Sequence, residues 1–578
     1  MNWWDLWTGR KQAELDRFYE LGWNPVDVST PEDLESGVMI VEIEYSGEGG
    51  EFPLTVRFPS EYPYFCGFAF LDPEHSLLAR HHNPVSGELC LMAEGGAAWI
   101  PDMKMGDVIH KFFPRVIRIA EDPMGEYATE HEIEQGEPVS GYYSRDDKTL
   151  IMVEEIDVPV GVDKGSFTAV KLRHEGHSRY AMLELFDHQK NSIAKASDAL
   201  YENVKECEKI NGYWHRWEKT AAAEHFEHPF AISDFRQLPP YISLAKWRPY
   251  IQRTQKKPAL FATLYQEEVQ HRKQSQAWCV VETTPLIKKN KVVNVQCKRI
   301  SVAPYSKEVR TARTPELTNL DNKAVTIVGA GMLGSQIALQ LARSGVGHIT
   351  VIDYDFIELA TCIRYGLGAE YAHWSKSEAL AHYLKKNYPC TKITDYRYRF
   401  GCAFPMPAKE RAQMFERIGA SDLVIDAAAE SQVSHYLCHL MRAEGKPLMS
   451  VTTRPGSWGG EAWISMPGEA CWECFGHYWQ EGFLPAANGD DENDRVQIGG
   501  CSAPTSVGNG FDSDIVSLHA VRNAIGLLLQ DEAQGYPSPE CNTFRINLRG
   551  EKGEMITPEC VSESFQPHPK CSCQAGGG

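Results

Sequence analysis

What the chain lacks narrows it first. No run of about 18 apolar residues occurs in its 578 positions, so no membrane-spanning helix is expected. Residues 1–18 carry Asp5, Arg10, Lys11, Glu14 and Asp16 with no apolar segment, so no secretory signal is expected there. Positive charge is short: Lys plus Arg is 58 against 78 for Asp plus Glu, a formal net charge of −20. A surface of that sign repels a phosphate backbone, and a dedicated nucleic-acid binder is not expected. Cysteines are thin and irregularly spaced, 16 in all, and do not read as a disulfide framework. The expected setting is cytoplasmic, with reduced thiols. Each cysteine there is a packing residue, a metal ligand or a nucleophile.

What is present is globular. Hydrophobic residues make up 43% and charged residues 24%, enough for several buried cores and for three or four domains. Three textures succeed one another. Residues 1–141 show a helical pattern over 3–21, strand-like runs at 38–45 and 52–58, and a helix near 105–120, which together predict an α+β domain. Residues 142–310 read as a connector with packed subdomains. Strands are expected at 167–172 and 180–186 and a charged helix over 193–227, and Pro239, Pro240, Pro249 and Pro258 punctuate the stretch beyond that helix. Residues 311–578 alternate strand and helix. Strands at 324–328, 348–352 and 422–426, with helices at 334–344 and 376–387, predict a doubly wound α/β sheet.

The third region carries a nucleotide signature. Gly329-Ala330-Gly331-Met332-Leu333-Gly334 falls between a strand and a helix, where glycines admit a phosphate close to the backbone and the helix amino end adds positive potential. Asp353 ends the next strand, where a carboxylate can hold ribose hydroxyls. A dinucleotide-dependent oxidoreductase shares those features. It does not share the run Asp353-Tyr354-Asp355, then Thr361-Cys362-Ile363-Arg364, Lys376 on a later helix and Asp426 at a strand end.

That combined pattern resembles the ubiquitin-activating superfamily, including ThiF- and MoeB-type adenylyltransferases, over about residues 315–575. The resemblance implies a Rossmann-like fold, usually a homodimer. It also implies ATP and Mg²⁺ as cofactors, with Gly329, Gly331 and Gly334 at the phosphates, Asp353 at the ribose, Arg364 and Lys376 on the phosphates and Asp426 on Mg²⁺. Thr361 stands where the family has asparagine, and Arg310 and Arg313 are the candidates for an arginine reaching across a dimer.

The cysteines divide on the same footing. Cys471-Trp472-Glu473-Cys474 and Cys571-Ser572-Cys573 form two thiolate pairs whose four sulfurs suit tetrahedral structural Zn²⁺. Gly500-Cys501-Ser502-Ala503 comes after the acidic stretch 488–495, and Cys501 is read as an acyl acceptor on a loop beside the adenylate.

In the first region Phe58-Pro59-Ser60-Glu61-Tyr62-Pro63 precedes His81-His82-Asn83, Gly87-Glu88-Leu89-Cys90-Leu91 and Trp99-Ile100-Pro101. The order and spacing resemble a ubiquitin-conjugating enzyme over about residues 1–130. The resemblance makes Cys90 the conjugating nucleophile and Asn83 the oxyanion donor. His82 replaces the usual proline, so His81 or His82 is expected to hydrogen-bond within the loop.

Activating-like and conjugating-like modules on one chain resemble the fusion ligases of bacterial CBASS anti-phage systems. The resemblance implies ATP-dependent adenylation of the carboxyl terminus of a CD-NTase partner, thioester relay from Cys501 to Cys90, and transfer to a target-protein amine. A sulfur-carrier or small-molecule adenylyltransferase, with the first domain a docking module, is the alternative. The closing Gly576-Gly577-Gly578 reads as a flexible end or a substrate-like tail.

Overall fold

The structure, a computed structural model, describes residues 2–574 apart from 73–74, 76–77, 79, 84–85, 93–98, 122–137, 139–148, 155–157, 175–176, 222–258, 271–272, 289–290, 403–405, 491–494, 497–504 and 533–534. Cys501 and the glycine-rich end therefore lie outside the described residues. The chain divides into two units: residues 1–195 with 208–304, and residues 196–207 with 305–578. Among the described residues no helix is long and apolar enough to cross a membrane.

The first unit opens with α1 (Trp3–Leu6), α2 (Thr8–Glu20) and α3 (Pro31–Glu35). Strands β1 (Val26–Asp27), β2 (Val38–Gly47), β3 (Gly50–Pro59) and β4 (Phe68–Leu71) form an antiparallel meander in that order. The alternation that predicts strands here is an alternation of burial. Met39, Val41, Ile43 and Tyr45 face the core with Leu54, Val56 and Phe58. Helix α4 (Met105–Glu121) buries Val108, Ile109, Phe113, Val116 and Ile117 in the same core. Glu14 is enclosed there: it accepts hydrogen bonds from the Tyr62 hydroxyl and, at 3.0 Å, from the Met105 N–H, and pairs with Arg10 at 2.9 Å.

The middle of the chain is a barrel. Its strands are β5 (Thr149–Val153), β6 (Lys164–His174), β7 (His177–Asp187), β8 (Ser192–Lys195), β9 (Glu208–Ala221), β10 (Ala259–Gln270), β11 (Lys273–Lys288) and β12 (Lys291–Pro304). They run β5-β12-β11-β10-β9-β6-β7-β8, and β5 also pairs with β7, so seven strands close on themselves and β8 pairs alongside the far end of β7. Closure pairs strands that would otherwise end the sheet as open edges. Phe167, Tyr180, Trp214, Leu260, Leu264 and Val280 pack together as the core, and Trp214 and Trp278 meet edge to face. Among the described residues the charged helix expected over 193–227 forms only at 198–204. Residues 208–221 are β9, because the period of the buried positions Gly212 and Trp214 is two. Gly212 is required on that strand, since a Cβ there would lie 2.1 Å from the Phe167 ring.

The second unit is the doubly wound sheet. Strands β13 (Ala324–Val328), β14 (His348–Ile352), β15 (Lys392–Tyr396), β16 (Leu423–Asp426) and β17 (Leu448–Thr453) pair in parallel in the order β15-β14-β13-β16-β17. Strands β18 (Gly459–Ser465), β21 (Thr543–Arg549) and β22 (Met555–Glu563) add antiparallel, and β19 (Arg495–Val496) pairs with β20 (Thr505–Ser506) apart from the sheet.

The helices are α5 (Asp198–Val204), α6 (Lys307–Thr311), α7 (Met332–Arg343), α8 (Lys376–Asn387), α9 (Ala408–Ala420), α10 (Ser431–Ala443), α11 (Trp472–Gln480) and α12 (Gly510–Leu528). Helix α5 comes from the middle of the chain. Its Asn203 amide donates to the Pro389 and Thr391 carbonyls, both at 2.8 Å, just before edge strand β15. The central strands are apolar on both faces, as a sheet covered by helices requires. Strand order reverses at β13, which puts a crevice at the carboxyl ends of β13, β14 and β16.

Candidate functional site

The crevice is built on glycines with separate jobs. Gly329 leaves β13 at φ +89°, and a Cβ there would come within 2.7 Å of the Ala427 and Ala428 backbone. Gly334, in the first turn of α7, would place a Cβ 1.8 Å from the Gly329 carbonyl oxygen. These two residues let the turn, the helix and β16 pack. Gly331 differs. It caps α7 with negative φ, and a Cβ there would meet no atom within 4 Å.

Acidic and basic groups converge on this turn. Asp353 comes directly after β14; its Oδ2 accepts the Ala330 N–H at 2.7 Å and its Oδ1 the Asp355 N–H at 2.8 Å. Lys376 begins α8, with Nζ 2.6 Å from Asp355 Oδ2. Burial pushes Asp355 up, but the Lys376 ammonium and the Phe356 N–H outweigh it and hold the carboxyl below its ordinary range.

Asp426 ends β16 with 2% of its surface exposed. Its Oδ1 accepts the Ala428 N–H at 3.0 Å and its Oδ2 the Ser434 hydroxyl. Burial raises it against those two bonds. Arg364 is half-buried on a segment tied to α7 by the Gly366 N–H, which donates to Ser335 Oγ at 3.1 Å. The start of α12 abuts that segment, since a Cβ on Gly510 would lie 3.2 Å from the Arg364 Cα. The structure thus brings Gly329, Gly331, Gly334, Asp353, Lys376 and Asp426 to one crevice, with the Arg364 segment beside α7. Sequence reasoning missed the roles of Asp355 and Ser434. Asp355 was visible as the second acid of Asp-x-Asp; nothing in sequence marks Ser434.

The four paired cysteines meet although a hundred residues separate the pairs. Cys471 Sγ lies 3.7 Å from Cys474 and 3.5 Å from Cys571, Cys474 lies 3.4 Å from Cys573, and all four sulfurs fall within 4.8 Å of one another. Metal–sulfur bonds of about 2.3 Å in a tetrahedron separate sulfurs by roughly 3.8 Å, so the donor set and spacing fit one zinc-sized ion. The His568 N–H donates to Cys474 Sγ at 3.2 Å, the amide–sulfur bond that steadies a thiolate. Cys438, unmarked by motif, sits beside the cluster and holds Cys471 well below the ordinary thiol range.

Cys90 is exposed at the end of a short stretch that runs along β4. The Leu89 N–H donates to the Ala69 carbonyl at 2.8 Å, and the Cys90 N–H to the His81 carbonyl at 2.7 Å. Asn83 lies in the same loop, where its Oδ1 accepts the Ser86 N–H at 3.1 Å. His82 is the loop-ordering histidine. It is buried, its Nδ1 accepts the Leu78 N–H at 3.1 Å, and its Nε2 therefore carries the proton given to the Leu71 carbonyl at 2.9 Å. Burial lowers its pKa, in keeping with that neutral tautomer.

Crevice and sheet order together define a Rossmann-like α/β domain. Residues 305–571 match the ThiF family model. The whole chain is 26% identical to the uncharacterized protein y4oA of Sinorhizobium fredii, over 100% of this chain and 98% of that one. It is 25% identical to the ATP-dependent ubiquitin transferase-like protein Cap2 of Pseudomonas aeruginosa, over 45% of this chain and 44% of that protein. Among solved structures, E. coli MccB aligns over 46% of this chain and 73% of its own at 16% identity, with a TM-score of 0.34.

Proposed function

We propose that the ThiF-family domain uses ATP to adenylate the terminal carboxyl of a partner protein. The acyl group then passes as a thioester from Cys501 to Cys90 and ends on a target amine. The observation that carries the reading is the convergence of an open glycine turn at Gly331 with Asp353, Lys376 and Asp426 at the carboxyl ends of β13, β14 and β16. The Cap2 relative, a ubiquitin transferase-like protein by name, supports the conjugation step. The sequence resemblance to CBASS fusion ligases supports a CD-NTase as the partner, anti-phage defence as the setting and the cytoplasm as the place.

The chemistry rests on charge. A carboxylate oxygen attacks the α-phosphorus of ATP, the bond to the β-phosphate breaks and pyrophosphate leaves. Negative charge develops at the phosphorus, and Arg364 and Lys376 neutralise it. Mg²⁺, held by Asp426, would add positive charge at the phosphates. The Cys501 thiolate displaces AMP from the acyl carbon, the Cys90 thiolate displaces Cys501, and an amine displaces Cys90 to leave an amide. Asn83 donates to the oxyanion of that last step. Zn²⁺ on Cys471, Cys474, Cys571 and Cys573 would hold α11 to the carboxyl-terminal segment and take no part in the reaction. Helix α12 leaves Phe511, Ile515 and Leu518 exposed at helical spacing, 70%, 37% and 50% respectively. Such a stripe supports a homodimer through this domain.

The test is incubation with ATP and candidate partner proteins, with conjugates mapped by mass spectrometry. A partner joined through its terminal carboxyl to a target amine is expected. A product unchanged by Cys90→Ala would favour the sulfur-carrier or small-molecule reading, and co-purified NAD or flavin would overturn adenylation.

A further inference from the structure

We infer that Asp355 is a positioning residue for Lys376, holding its ammonium where it meets the phosphates of a bound nucleotide; the inference rests on the adenylating reading above. The backbone sets the two residues opposite each other before their side chains touch. The His373 N–H donates to the Ile357 carbonyl at 2.7 Å, the Ile357 N–H to the Trp374 carbonyl at 2.9 Å and the Lys376 N–H to the Asp355 carbonyl at 2.9 Å. The Tyr365 hydroxyl fastens the Lys376 carbonyl from the other side at 3.3 Å.

The carboxylate then divides its oxygens. Oδ1 accepts the Phe356 N–H at 2.9 Å, and Oδ2 takes Lys376 Nζ at 2.6 Å. Upstream, the Asp355 N–H is held by Asp353, whose second oxygen holds the Ala330 N–H of the glycine turn. An unbroken chain of bonds therefore links the glycine turn to Lys376 through both acids of the Asp-x-Asp motif.

A lysine ammonium sits on a long flexible stem and has three donors. One donor on Asp355 fixes the stem and leaves the others to reach phosphate oxygens, so the ordering cost is met before ATP arrives. An asparagine at 355 keeps the shape and loses the device. Its single oxygen can serve the Phe356 N–H or Lys376, and its amide nitrogen faces the other partner.

The test titrates ATP with Mg²⁺, as the probe, into the full chain and into Asp355→Asn, Lys376→Ala and the double variant. Asp355→Asn should weaken ATP binding about tenfold, the scale of a lost charge-assisted bond. Lys376→Ala should weaken it at least as much, and the double variant should match Lys376→Ala within about twofold, because Asp355 acts through the lysine. Asp355→Glu, which returns the charge, should recover part of the loss. Since the Asp355 side chain is half exposed, thermal unfolding of the asparagine variant should stay near the parent's. Losses that multiply in the double variant, or Asp355→Asn binding ATP like the parent, overturn this inference alone. A parent chain that binds no ATP overturns it together with the adenylating reading.

Discussion

The glycine turn separates packing from ligand approach. At Gly331 a methyl group would touch nothing within 4 Å, and the backbone has negative φ. Alanine there removes freedom from the unfolded chain and adds no clash, so stability should move by less than about 1 kcal/mol. At Gly334 the methyl would lie 1.8 Å from the Gly329 carbonyl oxygen, a backbone atom that cannot step aside. Overpacking of that kind costs about 1–3 kcal/mol or more, against roughly 1 kcal/mol of helix preference gained. At about 2–4 °C per kcal/mol, Gly334→Ala should lower the melting temperature of the domain by several degrees while Gly331→Ala leaves it in place.

Affinity should show the converse for Gly331→Ala. If phosphate approaches the backbone at that residue, the added methyl meets the ligand and costs at least tenfold in ATP binding, about 1.4 kcal/mol. Thermal unfolding and ATP titration of both variants measure the two quantities. A Gly331→Ala chain that folds and binds ATP like the parent would refute the assignment of this turn to a phosphate. A Gly331→Ala chain that unfolds like Gly334→Ala would refute the reading of its surroundings.

The remaining sites carry their own expectations. Metal analysis should find one zinc per chain, and a strong chelator or Cys571→Ser should destabilise the carboxyl-terminal domain by several kcal/mol; equal stability without metal would contradict a structural ion. His215 in the barrel is pushed down to about 4 by burial. Its folded pKa lies below the unfolded value near 6.5, so the unfolded chain takes up the proton first. The associated stability, at most about 3 kcal/mol, is complete above pH 6.5 and is lost as pH falls from 6.5 toward 4. Denaturant unfolding of the parent and of His215→Asn over that range should show a shallower pH slope in the variant, and identical slopes would refute it.

The doubly wound sheet was legible because its signal is local. An apolar run, three glycines and an amphipathic helix within about twenty residues admit few folds, and β14, α8 and β16 fall where the pattern predicts. The barrel was not legible because its closure is long-range: β5 pairs with residues 178–181 on one side and 301–304 on the other. Strand β9 was hidden for a different reason. Glu208, Lys209 and Arg216 interrupt an alternation that shows only at Gly212 and Trp214, and a charged stretch then imitates a surface helix. In the crevice, residues with motif spacing were found and those supplied by folding were not. Ser434 reaches Asp426 from α10, and Cys438 reaches Cys471 from the same helix. The docking of helix α5 was equally invisible, because the bonds of Asn203 cross almost two hundred residues.

In the proposed relay one chain activates a carboxyl group and carries it between two of its own thiols. The most direct measurement is mass spectrometry of the chain after incubation with ATP and a candidate partner. A thiol-labile partner adduct on Cys90 that requires ATP and disappears in Cys501→Ala is expected. An adduct on Cys90 that persists unchanged in Cys501→Ala, or that forms without ATP, would contradict it.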